Sequence, residues 1–319
     1  ASDLRLLRKL CEDGLPYRYP QPTPDVHRRL EKELDIIGQM NFASYFLINW
    51  DIVRYAQHKN YYYIGRGSGA NSMVAYLLRI TDVDPIELEL YFERFINQFR
   101  SNAPDFDLDF SWTDRDDITR YIFERFGYQR TALLGSYNTF QHDAVIRELG
   151  KVFGVPPEEI DQLQRPDRYP RVDSLGKLVL QYTELIKGFP NHLSIHSSGI
   201  LIAEEPITSY TATFMPPKGF PTTQFSMLEA EDIGLFKFDI LSQRGLAKIK
   251  DSLELIEQNK NVKIDIHDIQ RFKNDTLVRD LLRQGKAIGC FYIESPAMRT
   301  LLTKLQADDY LRLVAASSI

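Results

Sequence analysis

Pro104-Asp105-Phe106-Asp107-Leu108-Asp109-Phe110 alternates acid and large apolar residue with the two-residue period of a β-strand. Asp105, Asp107 and Asp109 therefore share one face and Phe106, Leu108 and Phe110 the other, which suits a strand buried behind and open to a cleft in front. Stacked anions repel and Asp has poor strand propensity, so such a face is stable when cations sit on it. Hard carboxylate oxygens favour Mg²⁺ or Mn²⁺. Taken alone, the pattern equally suits an exposed edge strand whose charges guard against aggregation.

Upstream of that strand, Tyr61-Tyr62-Tyr63-Ile64 reads as a second one. It runs into Gly65-Arg66-Gly67-Ser68-Gly69 and then into a helix over 73–80, giving strand, glycine turn and helix start. Backbone amides and the Ser68 hydroxyl at a helix start form a phosphate cradle, although no Gly-Lys-Ser/Thr closes it as in a Walker loop and a plain tight turn has the same composition. Before it, a helix capped by Asp25 runs to about Met40 with Leu30, Leu34 and Ile37 on one stripe, and a second covers 44–58. Downstream, Thr113 and Asp114 open an amphipathic helix closed by Gly127, and a short strand follows at 131–134. Residues 139–189 read as nearly all helix. Apolar strands return at 200–203, 222–227 and 235–241, and helices dominate to the end. Phe236-Lys237-Phe238-Asp239-Ile240 places Lys237 and Asp239 on one strand face, as a phosphate-binding cation beside a metal-binding carboxylate or as a simple ion pair.

The 319 residues, 43% apolar and 26% charged, allow two or three domains. No segment approaches the length of a membrane span and Ala-Ser-Asp-Leu-Arg has no signal-peptide pattern. Cys11 and Cys290, far apart and without metal-ligand spacing, fit a reducing cytoplasm. A net charge of −5 argues against wholesale nucleic-acid binding but is compatible with a local basic groove. His192 and His196 are four apart, as zinc ligands on a helix face would be. With no third ligand nearby, a hydrogen-bonded structural role suits His196 better.

Together the segments resemble a known family. Gly65-Arg66-Gly67-Ser68-Gly69, Ile80-Thr81-Asp82-Val83-Asp84-Pro85, Phe92-Glu93-Arg94-Phe95 with Asn97, the acidic strand, and Gly234-Leu235-Phe236-Lys237-Phe238-Asp239 are similar, in order and spacing, to the palm motifs of the family C polymerases, the bacterial DNA polymerase III alpha subunits. The likeness continues through 144–150, 196–199, 222–224 and 293–295 to 313–315. Tyr63-Ile64 stands where the family has Gly-Pro, Gln98-Phe99 where it has Pro-Glu, and Ser136-Tyr137-Asn138-Thr139 where it has a Thr-Phe-Gly-Thr pattern. These departures touch loop geometry and mark a divergent copy.

The resemblance implies an α/β (α+β) fold: a nucleotidyltransferase-type, beta-like palm sheet over 1–136 and 194–242, interrupted by a helical thumb over 137–193 and followed by the start of mostly helical fingers over 243–319. It implies catalytic and metal-binding roles for Asp105, Asp107 and Asp239, holding two Mg²⁺ ions for which Mn²⁺ can substitute, with Asp109 in support. Arg66, Gly67, Ser68, Arg94 and Lys237 match nucleotide-binding positions, and Arg147 and Lys151 lie on a thumb helix that could follow duplex DNA or simply face solvent. The implied function is DNA-templated DNA synthesis in the cytoplasm on primer-template DNA with deoxynucleoside triphosphates, and no membrane partner. By comparison with the family, this chain starts after a histidine-rich phosphoesterase domain and stops inside the fingers. It is therefore expected to be weakly active or inactive alone, with sliding clamp and proofreading subunit engaged through regions absent here. Two other classes use the same residues: a two-metal nuclease or phosphohydrolase, and a non-catalytic nucleic-acid-binding scaffold.

Overall fold

The computed structural model describes residues 2–91, 105–165, 172–290 and 292–318. The chain divides into two compact units, Ala1–Ile118 with Leu241–Ile319, and Thr119–Ile240.

The first unit opens with three helices, α1 (Ser2–Arg18), α2 (Pro24–Gln39) and α3 (Ala43–His58). In α2, Val26, Leu30, Leu34 and Ile37 recur at helical spacing and are all buried. Its N-cap is Thr23 rather than Asp25: Pro24 takes the first helical position, where its missing N–H costs nothing, and Asp25 lies in the first turn. Sequence periodicity does not reveal α1, because Gly14 and Pro16 interrupt it. Packing overrides them, with Leu7 and Cys11 fully buried and Gly14 set close to the Leu77 carbonyl.

Strand β1 (Tyr63–Arg66) leads through a 3-10 turn, Ser68–Asn71, into the short helix α4 (Met73–Leu77). Strand β2 (Asp107–Ser111) pairs antiparallel with β1, setting Tyr63 opposite Phe110, Gly65 opposite Leu108 and Arg66 opposite Asp107. The expected alternation holds on the apolar side. Phe106, Leu108 and Phe110 are at most 1% exposed, and the Phe106 ring lies 5.7 Å from Tyr45 and 5.2 Å from Phe46 between centroids. Helix α5 (Arg115–Phe126) follows Asp114 and stops at Gly127, whose φ of +91° ends it; α5 runs across the division at residue 118.

The second unit holds β3 (Thr131–Thr139), helices α6 (His142–Val152), α7 (Pro157–Leu163) and α8 (Ser174–Ile186), β4 (Pro190–Ile202), β5 (Thr213–Phe214), β6 (Thr222–Thr223), α9 (Met227–Asp232) and most of β7 (Lys237–Gln243). Within it the strand order is β7-β4-β3-β6-β5, mixed because β3 and β6 are parallel while the other pairs are antiparallel. Two strands are longer than the sequence suggests. The polar residues 135–139 extend β3 against residues 190–195 of β4, with register shifts after Leu133 and Asn138. His192 and His196 thus lie on a strand, not a helix. Two apolar clusters stabilise the unit: Ala132, Leu134, Leu201 and Ile207 with neighbours behind the sheet, and Ile146, Val155, Ile160, Leu163 and Val179 among α6, α7 and α8.

Beyond β7 the first unit resumes with α10 (Arg244–Lys260), α11 (Ile269–Lys273), α12 (Thr276–Arg283), α13 (Pro296–Leu305) and α14 (Tyr310–Ser317), the expected helical end. Leu302, Ala307 and Ala316 form its small core. No helix among the described residues is long and apolar enough to cross a membrane. Cys11 is buried and Cys290 exposed, both as free thiols.

Candidate functional site

In the first unit the glycine turn and the acidic strand are bonded directly. Gly67 has φ +90° and ψ −175°, a conformation open essentially to glycine alone. It turns the chain so that the Gly69 N–H donates to the Asp105 carbonyl at 3.0 Å. The Ser68 hydroxyl donates to Asp105 Oδ1, and the Asp105 N–H donates back to Ser68 Oγ at 3.3 Å. Side-chain placement on β2 follows the strand period, with Asp107 partly exposed and Asp109 only 2% exposed.

Arg66 supplies the cation that the acidic face requires. Its Nη1 donates to Asp107 Oδ2 at 2.8 Å, and its Nε bonds Asp109 Oδ2. Arg66 is the register partner of Asp107 and reaches Asp109 diagonally, so one planar guanidinium serves two carboxylates on the same strand face. Gln243 Nε2 adds a bond to Asp109 Oδ1 at 3.2 Å. Of the two carboxylates on β2, Asp109 is thus the buried anchor and Asp107 the more open. Among the described residues, no three His, Cys, Asp or Glu side chains are grouped as a ready-made metal-ligand set.

The start of α4 differs from the phosphate cradle that the glycine pattern suggests. The buried Glu33 of α2 accepts from the Met73 and Val74 N–H groups at 3.0 and 3.2 Å and from the Ser72 hydroxyl at 2.6 Å. A protein carboxylate takes the place there that a ligand anion would need, because helix-start donors are satisfied by whichever acceptor the fold brings. Sequence reasoning missed Glu33. The signal was present: it sits three residues after Leu30 and four before Ile37 on the apolar stripe of α2, where a charge demands a buried partner.

In the second unit, Lys237 and Asp239 share one face of β7 as read from the sequence, and Lys237 Nζ bonds Asp239 Oδ2. Asp239 is 5% exposed and also accepts from the Ser198 hydroxyl at 2.6 Å. Ser198 was not singled out from sequence. It lies on β4, where Gly199 is the register partner of Asp239. Beside it, His196 Nδ1 accepts from the Gly199 N–H at 3.0 Å, the structural role expected for this histidine. Burial holds the His196 imidazole below its ordinary pKa of 6.5, with the Asp239 charge opposing and that of Lys237 assisting. A histidine that stays neutral when folded leaves the unfolded chain to bind the proton first. Stability should therefore be complete above pH 6.5 and fall as pH drops below it. Unfolding followed between pH 7.5 and 5 should show this slope in the native protein and a shallower one in His196→Asn; identical slopes would contradict it.

Arg147 and Lys151 lie on α6 and are largely exposed, and both approach Glu148, at 3.3 and 2.9 Å. The bonds from Lys151 and then Arg147 hold the Glu148 carboxyl below the usual range. Arg94, the remaining nucleotide-binding expectation, lies outside the described residues.

The family model of the bacterial DNA polymerase III alpha NTPase domain matches residues 5–242, and that of the bacterial DNA polymerase III alpha subunit finger domain matches residues 245–319. The chain belongs to the bacterial DNA polymerase III alpha family. It is 37% identical to the DNA polymerase III subunit alpha of Bacillus subtilis and 35% identical to the error-prone DNA polymerase of Symbiobacterium thermophilum, over 98% of this chain in each case. The DNA polymerase III subunit alpha of Borreliella burgdorferi is 35% identical over the same share. The chain spans about 30% of the length of these curated relatives.

Proposed function

We propose that this chain carries the catalytic centre of a DNA-directed DNA polymerase, which adds deoxynucleotides to a primer 3′-hydroxyl during DNA replication. The observation that carries the reading is the direct linkage of the glycine turn to the acidic strand, Ser68 to Asp105 and Arg66 to Asp107, in a chain of this family. Asp105 and Asp107, with Asp239 from the second unit, are the proposed ligands of two Mg²⁺ ions. The donor set fits: all are hard carboxylate oxygens, and the acids on β2 stand with Arg66 close enough to balance their charge. When bound, such ions activate the attacking hydroxyl and neutralise the triphosphate.

The chain's own residues do the positioning. Arg66 fixes the rotamer of Asp107 by a charge-assisted bond while anchoring on Asp109, Ser68 orients Asp105, and Ser198 with Lys237 orients Asp239. We assign nucleotide contacts to Arg66, Gly67, Ser68, Arg94 and Lys237, and duplex-backbone contacts to Arg147 and Lys151. In this reading, residues 1–136 and 194–242 are palm, 137–193 thumb and 243–319 the start of the fingers. A sliding clamp and a proofreading subunit are proposed partners of the whole protein, acting in the cytoplasm.

A primer-extension assay with the full-length protein that contains this chain, on an end-labelled primer-template with Mg²⁺ and all four deoxynucleoside triphosphates, tests the reading. Lengthening of the primer supports it, shortening would favour the nuclease, and an unchanged primer bound by the protein would favour the scaffold. Lys237→Ala should weaken nucleotide use by roughly 2–4 kcal/mol of transition-state stabilisation, the usual cost of losing one preorganised charged contact. If the nucleotide dependence of that variant equals the native one, Lys237 serves only its ion pair with Asp239.

A further inference from the structure

Helix α2 places an ion pair where its apolar stripe should be. Arg29 Nε donates to Glu33 Oε1 at 2.7 Å, and the Glu33 side chain is wholly inaccessible. A carboxylate removed from water requires that its lone pairs be met, and here four donors meet them. Arg29 Nε and the Met73 N–H converge on one oxygen, and the Ser72 hydroxyl and Val74 N–H on the other. The remaining guanidinium nitrogens reach past the carboxylate: Nη2 donates to the Asn71 carbonyl at 3.3 Å and Nη1 to the Leu90 carbonyl at 3.1 Å.

The groups so gripped bracket the glycine turn. Asn71 ends the 3-10 turn and Ser72 begins α4, and the Asn71 amide donates to the Ser68 carbonyl at 3.0 Å. A continuous path of polar contacts thus runs from Arg29 through Asn71 to Ser68 and on to Asp105. We propose that Arg29 and Glu33 are positioning residues for nucleotide addition: from the hidden side of the turn they fix its C-terminal end and so hold Ser68 and Asp105 in place. The proposal rests on the polymerase reading for its functional consequence and on the first unit alone for its structural one. The pair touches no substrate and acts only through the turn, as supporting residues do in preorganised sites.

Two variants test it in the full protein. Glu33→Gln has one oxygen and one NH₂ where four donors converge, so two of those donors meet an N–H. Arg29→Lys keeps the charge but its ammonium lacks the planar reach to Glu33, Asn71 and Leu90 together, and it serves if Glu33→Gln does not fold. In each, amide hydrogen exchange over residues 67–75 should quicken. The kcat/KM for nucleotide should fall about 10- to 100-fold, the range typical of lost supporting contacts, while primer-template Kd stays within about twofold. Quickened exchange with unchanged nucleotide kinetics would reduce the pair to a structural brace and overturn the proposal; unchanged exchange would overturn it outright. Should the native protein fail to extend any primer, the polymerase reading fails separately, and exchange over 67–75 still decides whether the pair holds the turn.

Discussion

In the full-length protein, Asp107→Asn should slow nucleotide addition by about 10³-fold, the scale of removing one principal electrostatic contributor from a preorganised site, while leaving primer-template binding and thermal stability close to native. The substitution is nearly isosteric. Its side-chain oxygen can still accept the 2.8 Å bond from Arg66 Nη1, and Arg66 keeps its second anchor on Asp109. What is lost is one negative charge at the more open carboxylate of β2, whose side chain is 23% exposed. Loss of catalysis with retained binding separates metal and transition-state stabilisation from affinity. Single-turnover incorporation and equilibrium DNA binding on the same preparation make the measurement. A variant still incorporating nucleotide within about tenfold of native, a drop of no more than ~1.4 kcal/mol, would remove Asp107 from the catalytic set.

Gly67→Ala should both destabilise the first unit and abolish nucleotide addition. At φ +90° and ψ −175° the backbone lies where an L side chain is strained, and a Cβ there would stand 2.6 Å from the Asp105 carbonyl oxygen. The opposing atom is backbone, so neither side yields by a rotamer change. Strain and clash together cost roughly 3 kcal/mol or more, and the unfolding temperature of a unit this size should drop by about 5–10 °C. Relief by moving the turn breaks the Gly69 bond to Asp105 and displaces Ser68. Gly188 is the informative control: its φ is +85° but nothing lies within 4 Å of a Cβ there, so Ala at 188 incurs conformational strain without the clash. Equal unfolding temperatures for native and Gly67→Ala protein would show that the turn relaxes freely and does not set the site.

Much of this arrangement is written locally. The acid and apolar alternation of 105–110 needs only the two-residue period of a strand to become a carboxylate face over a buried aromatic one, and Phe106, Leu108 and Phe110 are buried accordingly. The same period puts Lys237 beside Asp239. The order of glycine turn, acidic strand and Lys-x-Asp strand identifies the family because each motif is short and self-contained.

Other features depend on partners remote in the chain. Residues 135–139, mostly polar and beyond the strand read at 131–134, form strand because residues 190–195 supply a ladder for their backbone groups. Helix α1 survives its Gly and Pro because packing buries Leu7 and Cys11. Glu33 stands on the apolar stripe of α2, where a charge calls for a buried partner, but only the arrival of α4, some forty residues later, supplies that partner as the donors of a helix start. Arg66 shows the division most plainly. Its residue type beside a glycine turn suggests a phosphate ligand; that antiparallel pairing of β1 with β2 also delivers it to Asp107 and Asp109 is legible only in the tertiary structure. Periodicity specifies which way a side chain points within its own element; which charge it meets is decided by the register between elements, and buried electrostatics is determined by that meeting.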